Sequence, residues 1–269
     1  MTVRLTLKAE PDQRLDLSPL VPHLLAGKSE AEIAAIELQT TREKRTVGDM
    51  FSVKLDGDGE AVRIEGGSAR FDHVGAALAS GELLLEGDCG QSAGRGMSAG
   101  RLTIRGSAGP FAASALSGGI MEIAGDAGDF LGAPLDGEME GMSGGLVVVR
   151  GSAGARAGDR MRRGTIVVEG AAGDYAGSRF IAGTLIAVRG AGALPGYLMR
   201  RGTLVLGTAP ALGPTFVDCG AHRLSFMGLF ARFLNDYSAG AATLLRERCA
   251  RFGGDTAALG KGEILFPAA

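Results

Sequence analysis

A chain of 269 residues with 45 glycines and 45% hydrophobic residues is too apolar for a disordered Gly/Ser polymer and far too rich in glycine for an ordinary globular domain, where the share is about 7%. Its net charge of −2, its 5% aromatic content and its lack of Trp exclude the basic, base-stacking face of a nucleic-acid binder. Cys89, Cys219 and Cys249 are odd in number and far apart, which argues against a disulfide framework and a Cys-ligated metal centre.

Residues 1–58 predict a small α/β cap segment. Val3-Arg-Leu-Thr-Leu alternates like a strand, and Ser29 with Glu32 forms a capping box at a helix start. Residues 36–41 and 47–55 are expected to be extended, and Ala61-Val-Arg-Ile-Glu-Gly66 to form a degenerate first coil. The start lacks a basic region followed by an apolar one, and no run reaches the roughly 18 apolar residues of a membrane span. The expected location is therefore cytoplasmic, without contact to membrane.

From residue 59 to 207 one pattern repeats. Gly81-Glu-Leu-Leu-Leu-Glu-Gly87, Gly100-Arg-Leu-Thr-Ile-Arg-Gly106 and Gly119-Ile-Met-Glu-Ile-Ala-Gly125 are followed by equivalents opening at Gly145, Gly164, Gly183 and Gly202. The step is 19 residues, except for one of 26 that locates a seven-residue insertion within 134–141. A second ladder runs through Gly75, Gly94, Ala113, Gly132, Gly158, Gly177 and Gly196, and a third of large apolar residues from Leu78 to Met199. Such self-similarity, with strands of four or five residues and no helical period, predicts an all-β core of about seven stacked coils. A left-handed hexapeptide helix would need three equal hexads, roughly 18 residues per coil. The unequal segments favour a right-handed parallel β-helix.

Within each strand the second and fourth residues, from Leu83/Leu85 to Leu204/Leu206, are apolar and point inward. The opening glycines are expected at corners. The fifth residues, Glu86, Arg105, Ala124, Arg150, Glu169 and Arg189, suit a surface ladder of ion pairs. The third residues begin as Leu84, Thr103 and Glu122 and become Val148, Val167 and Val205. An outward Val stripe needs a cover: either the chain's own C-terminal helices or a partner.

Residues 208–269 predict a helical extension. Leu224, Phe226, Met227, Phe230, Phe233, Leu234 and Tyr237 recur at helical steps, and residues 241–252 read as a second helix. Folding back over the coils is one role for these helices. Docking a partner through Phe226, Phe230, Phe233 and the Val stripe is the other. Arg160, Arg162 and Arg163 stand two coils before Arg200 and Arg201, with Arg179 between. They form a solvated face, or a basic groove for an acidic partner or a polyanionic substrate tail.

No nucleophile–base–acid set emerges. His73 lies beside a corner without a visible partner, and Cys89 shares its repeat position with Ala108, Ala127, Ala153 and Ala172, a slot for small residues. Gly94-Arg-Gly96 lacks the amphipathic helix of a dinucleotide loop. A secreted carbohydrate-active β-helix would want a signal peptide and an aromatic groove.

Gly141-Met-Ser-Gly-Gly-Leu-Val-Val-Val-Arg-Gly-Ser-Ala-Gly and Gly158-Asp-Arg-Met-Arg-Arg-Gly-Thr-Ile-Val-Val-Glu-Gly resemble the C subunits of formylmethanofuran dehydrogenase and of the bacterial formyltransferase/hydrolase complex. The coil type, called GXGXG, also resembles the C-terminal domain of the glutamate synthase large subunit. The resemblance implies a right-handed β-helix assembled with A, B and D subunits. It implies a complex acting in one-carbon metabolism on a methanofuran analogue and tetrahydromethanopterin, with formyl groups ending as formate. It implies metals on other subunits and no catalytic, cofactor or metal residue on this chain. The 23 Arg against 5 Lys suit a GC-rich bacterium and tilt the reading to the formyltransferase/hydrolase version. A tungsten or molybdenum formylmethanofuran dehydrogenase and a glutamate-synthase-like structural subunit are the alternatives.

Overall fold

A computed structural model describes residues 2–57 and 59–268. The first segment comprises β1 (Thr2–Leu7), β2 (Leu15–Asp16), α1 (Pro22–Leu25), α2 (Glu30–Ala34), β3 (Glu37–Leu38), β4 (Arg45–Thr46), α3 (Val47–Met50) and β5 (Phe51–Asp56). The repeats supply β6 (Ala61–Glu65), β7 (Phe71–Asp72), β8 (Glu82–Glu86), β9 (Arg101–Ile104), β10 (Ile120–Ile123), β11 (Ser143–Val149), β12 (Arg163–Val168), β13 (Thr184–Ala187) and β14 (Arg201–Leu206). The chain closes with β15 (Val217–His222), α4 (Ser225–Leu234), α5 (Ala239–Leu244), β16 (Cys249–Gly254) and β17 (Lys261–Pro267).

Among the described residues the architecture is mostly β and dominated by one thirteen-stranded sheet, ordered β15-β16-β17-β14-β13-β12-β11-β10-β9-β8-β6-β1-β5. From β1 through β17 each neighbouring pair is parallel. The repeat step is thus a stacking step. Leu83 sits on Leu102, Leu102 on Met121, Met121 on Val147 and Val147 on Ile166. These side chains are at most 1% exposed, each contributing about 1.5–3 kcal/mol of burial. A second line of parallel bridges joins Cys89, Ala108, Ala127, Ala153, Ala172 and Ala191, so the small-residue slot is a close-packed backbone stack.

The opening glycines all take positive φ. Gly164 shows why: its φ is +95°, and a Cβ there would lie 2.7 Å from the Gly144 carbonyl oxygen of the preceding coil. The close backbone leaves no space for a side chain, and the conformation disfavours one. Two further columns have a left-handed backbone too, at a smaller φ of 50–62°, with side chains attached. One runs His73, Ser92, Phe111, Phe130, Arg156, Tyr175, Leu194, and another includes Ala77, Ala115, Arg160, Arg179 and Leu198. Side chains also tie one corner to the next. Asp88 Oδ1 accepts from Ser107 N at 2.7 Å, and Asp126 Oδ1 from Ser152 N at 2.8 Å.

Both ends of the stack depart from the repeat. The capping box at Ser29/Glu32 forms as expected, and β6 is the degenerate coil. Within 47–55, however, residues Val47–Met50 make a helical turn, because Thr46 and Asp49 form a second capping box. The cap segment joins the main sheet through β1, and Leu17, Leu20, Val21 and Ile33 enter the same core as the coils. At the opposite end, residues 241–252 are not one helix: α5 stops at Leu244 and Cys249–Gly254 is a strand. β16 pairs antiparallel with β17, and Arg251 Nε donates to Glu263 Oε2 at 2.8 Å. The extension is therefore a three-stranded sheet addition as well as a helix pair. Arg189 does not continue the fifth-residue column, since Val188 donates its N–H to Val168 O and the extra residue follows it.

Candidate functional site

The outward positions of the coils determine what the molecule shows to its surroundings. Val148 and Val167 are 0% exposed and Val205 4%, because Met227, Ala231 and Leu234 of α4, Ala241 and Ala242 of α5 and Leu245 just after it lie on them. The expectation that these three valines offer a partner interface is corrected: the chain covers the stripe itself. Leu146, Ile186 and Leu265 complete this second core. The Phe-rich helix divides between two faces. Met227, Ala231 and Leu234 point at the sheet, whereas Phe226, Leu229 and Phe233 are 54%, 70% and 51% exposed. Phe230 is half-buried and stacks on Phe233. Leu229 is an addition to the expected outward set, and its step of three residues from Phe226 is the signal that marks it.

The arginines of the patch separate too. Arg160, Arg179 and Arg200 line an open cleft of about 790 Å³ together with Met139, Glu140, Ile181, Leu198 and residues 257–259. Arg162 is bound by Glu140, a partner supplied by the insertion. Arg163 and Arg201 open β12 and β14 as exposed residues and do not line the cleft. The insertion forms its wall because Glu138 is held twice: Arg95 Nη2 donates to its carboxylate at 2.7 Å, and Arg160 Nη1 to its carbonyl at 3.1 Å. The Arg95 hydrogen bonds pull the Glu138 carboxyl below the usual carboxylate range. Asp159, 2% exposed, accepts from Ser178 Oγ at 2.6 Å and Arg179 Nε at 2.8 Å. That carboxylate raises the Arg179 guanidinium pKa further. Residues 138–140 and 257–259 were not legible as cleft walls, since both belong to excursions outside the period.

The chemically suggestive residues are dispersed. His73 has a partner that the sequence concealed: Asp16 Oδ2 lies 2.9 Å from its Nδ1, across 57 positions of chain. Burial pushes the Cys89 thiol up to about 12, which disfavours the reactive thiolate. Cys219 is exposed on β15, and Cys249 is half-buried. Among the described residues no group of three or more His, Cys, Asp or Glu is placed to hold a metal, and no helix is long and apolar enough to cross a membrane.

Likeness to known proteins shows the family. No family model matches the chain. The C subunit of the formyltransferase/hydrolase complex Fhc from Methylorubrum extorquens is 47% identical over 87 residues, 32% of each chain. The C subunit of molybdenum-containing formylmethanofuran dehydrogenase 1 from Methanothermobacter marburgensis is 31% identical over 81 residues, 30% of this chain and 20% of that one. The aligned stretches thus span about a third and a fifth of these relatives. A chain in the crystal structure of the FhcABCD complex from Methylorubrum extorquens with methylofuran matches along its whole length. There the identity is 46% and the TM-score 0.94, covering 99% of this chain and 100% of that one.

The fold defines a glycine-cornered β protein built on one mostly parallel sheet, as in the FhcABCD chain that it matches. Full-length likeness and the names of the two relatives narrow this further. The chain belongs to the family of the C subunit of the formyltransferase/hydrolase complex.

Proposed function

We propose that this chain is the scaffold C subunit of a cytoplasmic formyltransferase/hydrolase complex and that it assembles with A, B and D subunits. The observation that carries the proposal is the match over 99% of the chain to a component of FhcABCD bound to methylofuran. The complex would take a formyl group from tetrahydromethanopterin to a methanofuran analogue and release it as formate. Reacting groups and metals would belong to other subunits. The stacked strands fit a right-handed parallel β-helix over 59–207, with a cap segment over 1–58 and a helix-and-strand extension over 208–269. A rigid stack suits this role, because each coil contacts its neighbours and presents a long side surface. Phe226, Leu229 and Phe233 would form one partner contact.

The 31% identity to a molybdenum-containing dehydrogenase component favours a second reading, membership of a redox complex. Purification of the native complex separates the two. Formyltransferase and hydrolase chains, formate release and no stoichiometric molybdenum or tungsten support the first; bound molybdenum or tungsten with redox turnover supports the second. Turnover of formyl-methylofuran by the isolated chain would refute the scaffold role.

A further inference from the structure

We infer that the arginine cleft is a docking groove for an acidic, extended segment of a partner polypeptide, a proposal that deepens the scaffold reading and rests on it. Charge is unevenly balanced around the cleft. Arg162 is neutralised by Glu140 and Arg179 by Asp159. Arg160 reaches only a neutral acceptor, the Glu138 carbonyl, and Arg200 makes no side-chain hydrogen bond or ion pair among the described residues. Two guanidinium charges are therefore left over in one cleft, with planar donors suited to carboxylates.

The charges and the apolar surface beside them together point to the shape of the occupant. Arg160 and Arg179 occupy one position on successive coils, and Leu198 takes that position on the coil bearing Arg200. The two free charges are thus separated by two coil steps, roughly 9.6 Å along the stack. Flexible arginines can also converge on one compact anion across that span, so the apolar surface beside them carries the choice of an extended occupant. An extended chain, with same-face side chains roughly 6.7 Å apart, brings two carboxylates within reach of flexible arginines. Apolar surface lies beside the charges: Ile181 and Leu198 from the repeats, Met139 and Leu259 from the two loops. Met139 is 76% exposed and Leu259 48%. The complement is a strand with acidic residues on one face and aliphatic ones beside them, gripped between the insertion and the β16–β17 turn.

The test uses the whole chain and its partners. Purified A, B and D subunits are titrated with wild-type chain and with R160E/R200E, at low and high salt. The expected result is an increase in Kd of at least tenfold, with an unchanged unfolding midpoint. Wild-type affinity falls with salt, and that of the variant falls less. In parallel, R200K is treated with a zero-length carbodiimide in the assembled complex, and mass spectrometry should find position 200 joined to an Asp or Glu of A, B or D. Should R160E/R200E fail to fold, R160Q/R200Q takes its place in the titration. Undiminished affinity, or no cross-link at position 200, overturns the inference while leaving the scaffold reading intact. So does unchanged assembly with loss of a small anion detected by native mass spectrometry. If the wild-type chain does not join A, B and D at all, both readings fall together.

Discussion

The two halves of the coil stack share corners, core and register, yet they treat their outward faces differently. In the earlier coils the column reads Arg63, Leu84, Thr103, Glu122, and Arg63 Nη2 donates to Glu86 at 3.1 Å across one step. In the later coils the same column becomes Val148, Val167, Ile186 and Val205 and lies beneath α4 and α5. The difference teaches that the stacking of the strands depends on the corners and inward pairs, whereas the outward column only determines what lies upon it. One repeat can therefore be left facing water at one end and be roofed at the other.

The largest expected effect tests what the halves share. Gly164→Val and Gly100→Val force a side chain into positive φ and against a carbonyl oxygen, 2.7 Å and 2.5 Å away respectively. Strain and overpacking together should cost about 3–5 kcal/mol in either half, read from chemical denaturation. If only one glycine matters, the corners are not equivalent. Next, Val167→Asp places a charge beneath the helices and should cost about 3–5 kcal/mol. Leu84→Asp occupies the same column beside Arg63, is half-buried, and should change stability by less than about 1 kcal/mol. Equal losses would abolish the distinction between roofed and open coils.

Smaller effects separate the two faces of the roof. Leu234→Ala removes a fully buried roof residue and should cost about 2–4 kcal/mol, whereas the double change Phe226→Ser with Leu229→Ser should alter stability by under about 1 kcal/mol while weakening assembly. A melting temperature compared with a sedimentation profile distinguishes these outcomes. The smallest effect concerns the insertion. Because Arg95 holds the Glu138 carboxyl below its usual range, the folded state favours the ionised form. The pair stabilises at pH values above the ordinary carboxylate pKa and loses that contribution as pH falls through the depressed one. Glu138→Gln should therefore remove under about 1 kcal/mol near pH 7 and nothing at strongly acid pH. A pH-independent difference between the two proteins would contradict this assignment.

What could be read from the sequence was whatever recurred. Stacking of Leu83, Leu102, Met121 and Val147 follows from a fixed step, and so do the corner glycines and the slot containing Cys89. The His73–Asp16 pair and the β15–β16–β17 addition bring together residues without periodic relation, so no local signal announced them. The helical period of residues 224–237 was plain, but a period alone does not reveal which side meets the sheet. The arginines were visible as a cluster, while the cleft depends on an insertion whose anchor, Arg95, lies 43 residues earlier.

Along one column, seven residues of unlike chemistry, from His73 to Leu194, adopt a single left-handed backbone setting. The Phe111–Phe130 stack and the Arg156 guanidinium over the Tyr175 ring are contacts between neighbours along this column, made without shaping it. Lettering on this spine can consequently be changed coil by coil while the binding that holds the pages stays the same, which makes such a protein a ready support on which new recognition can be written.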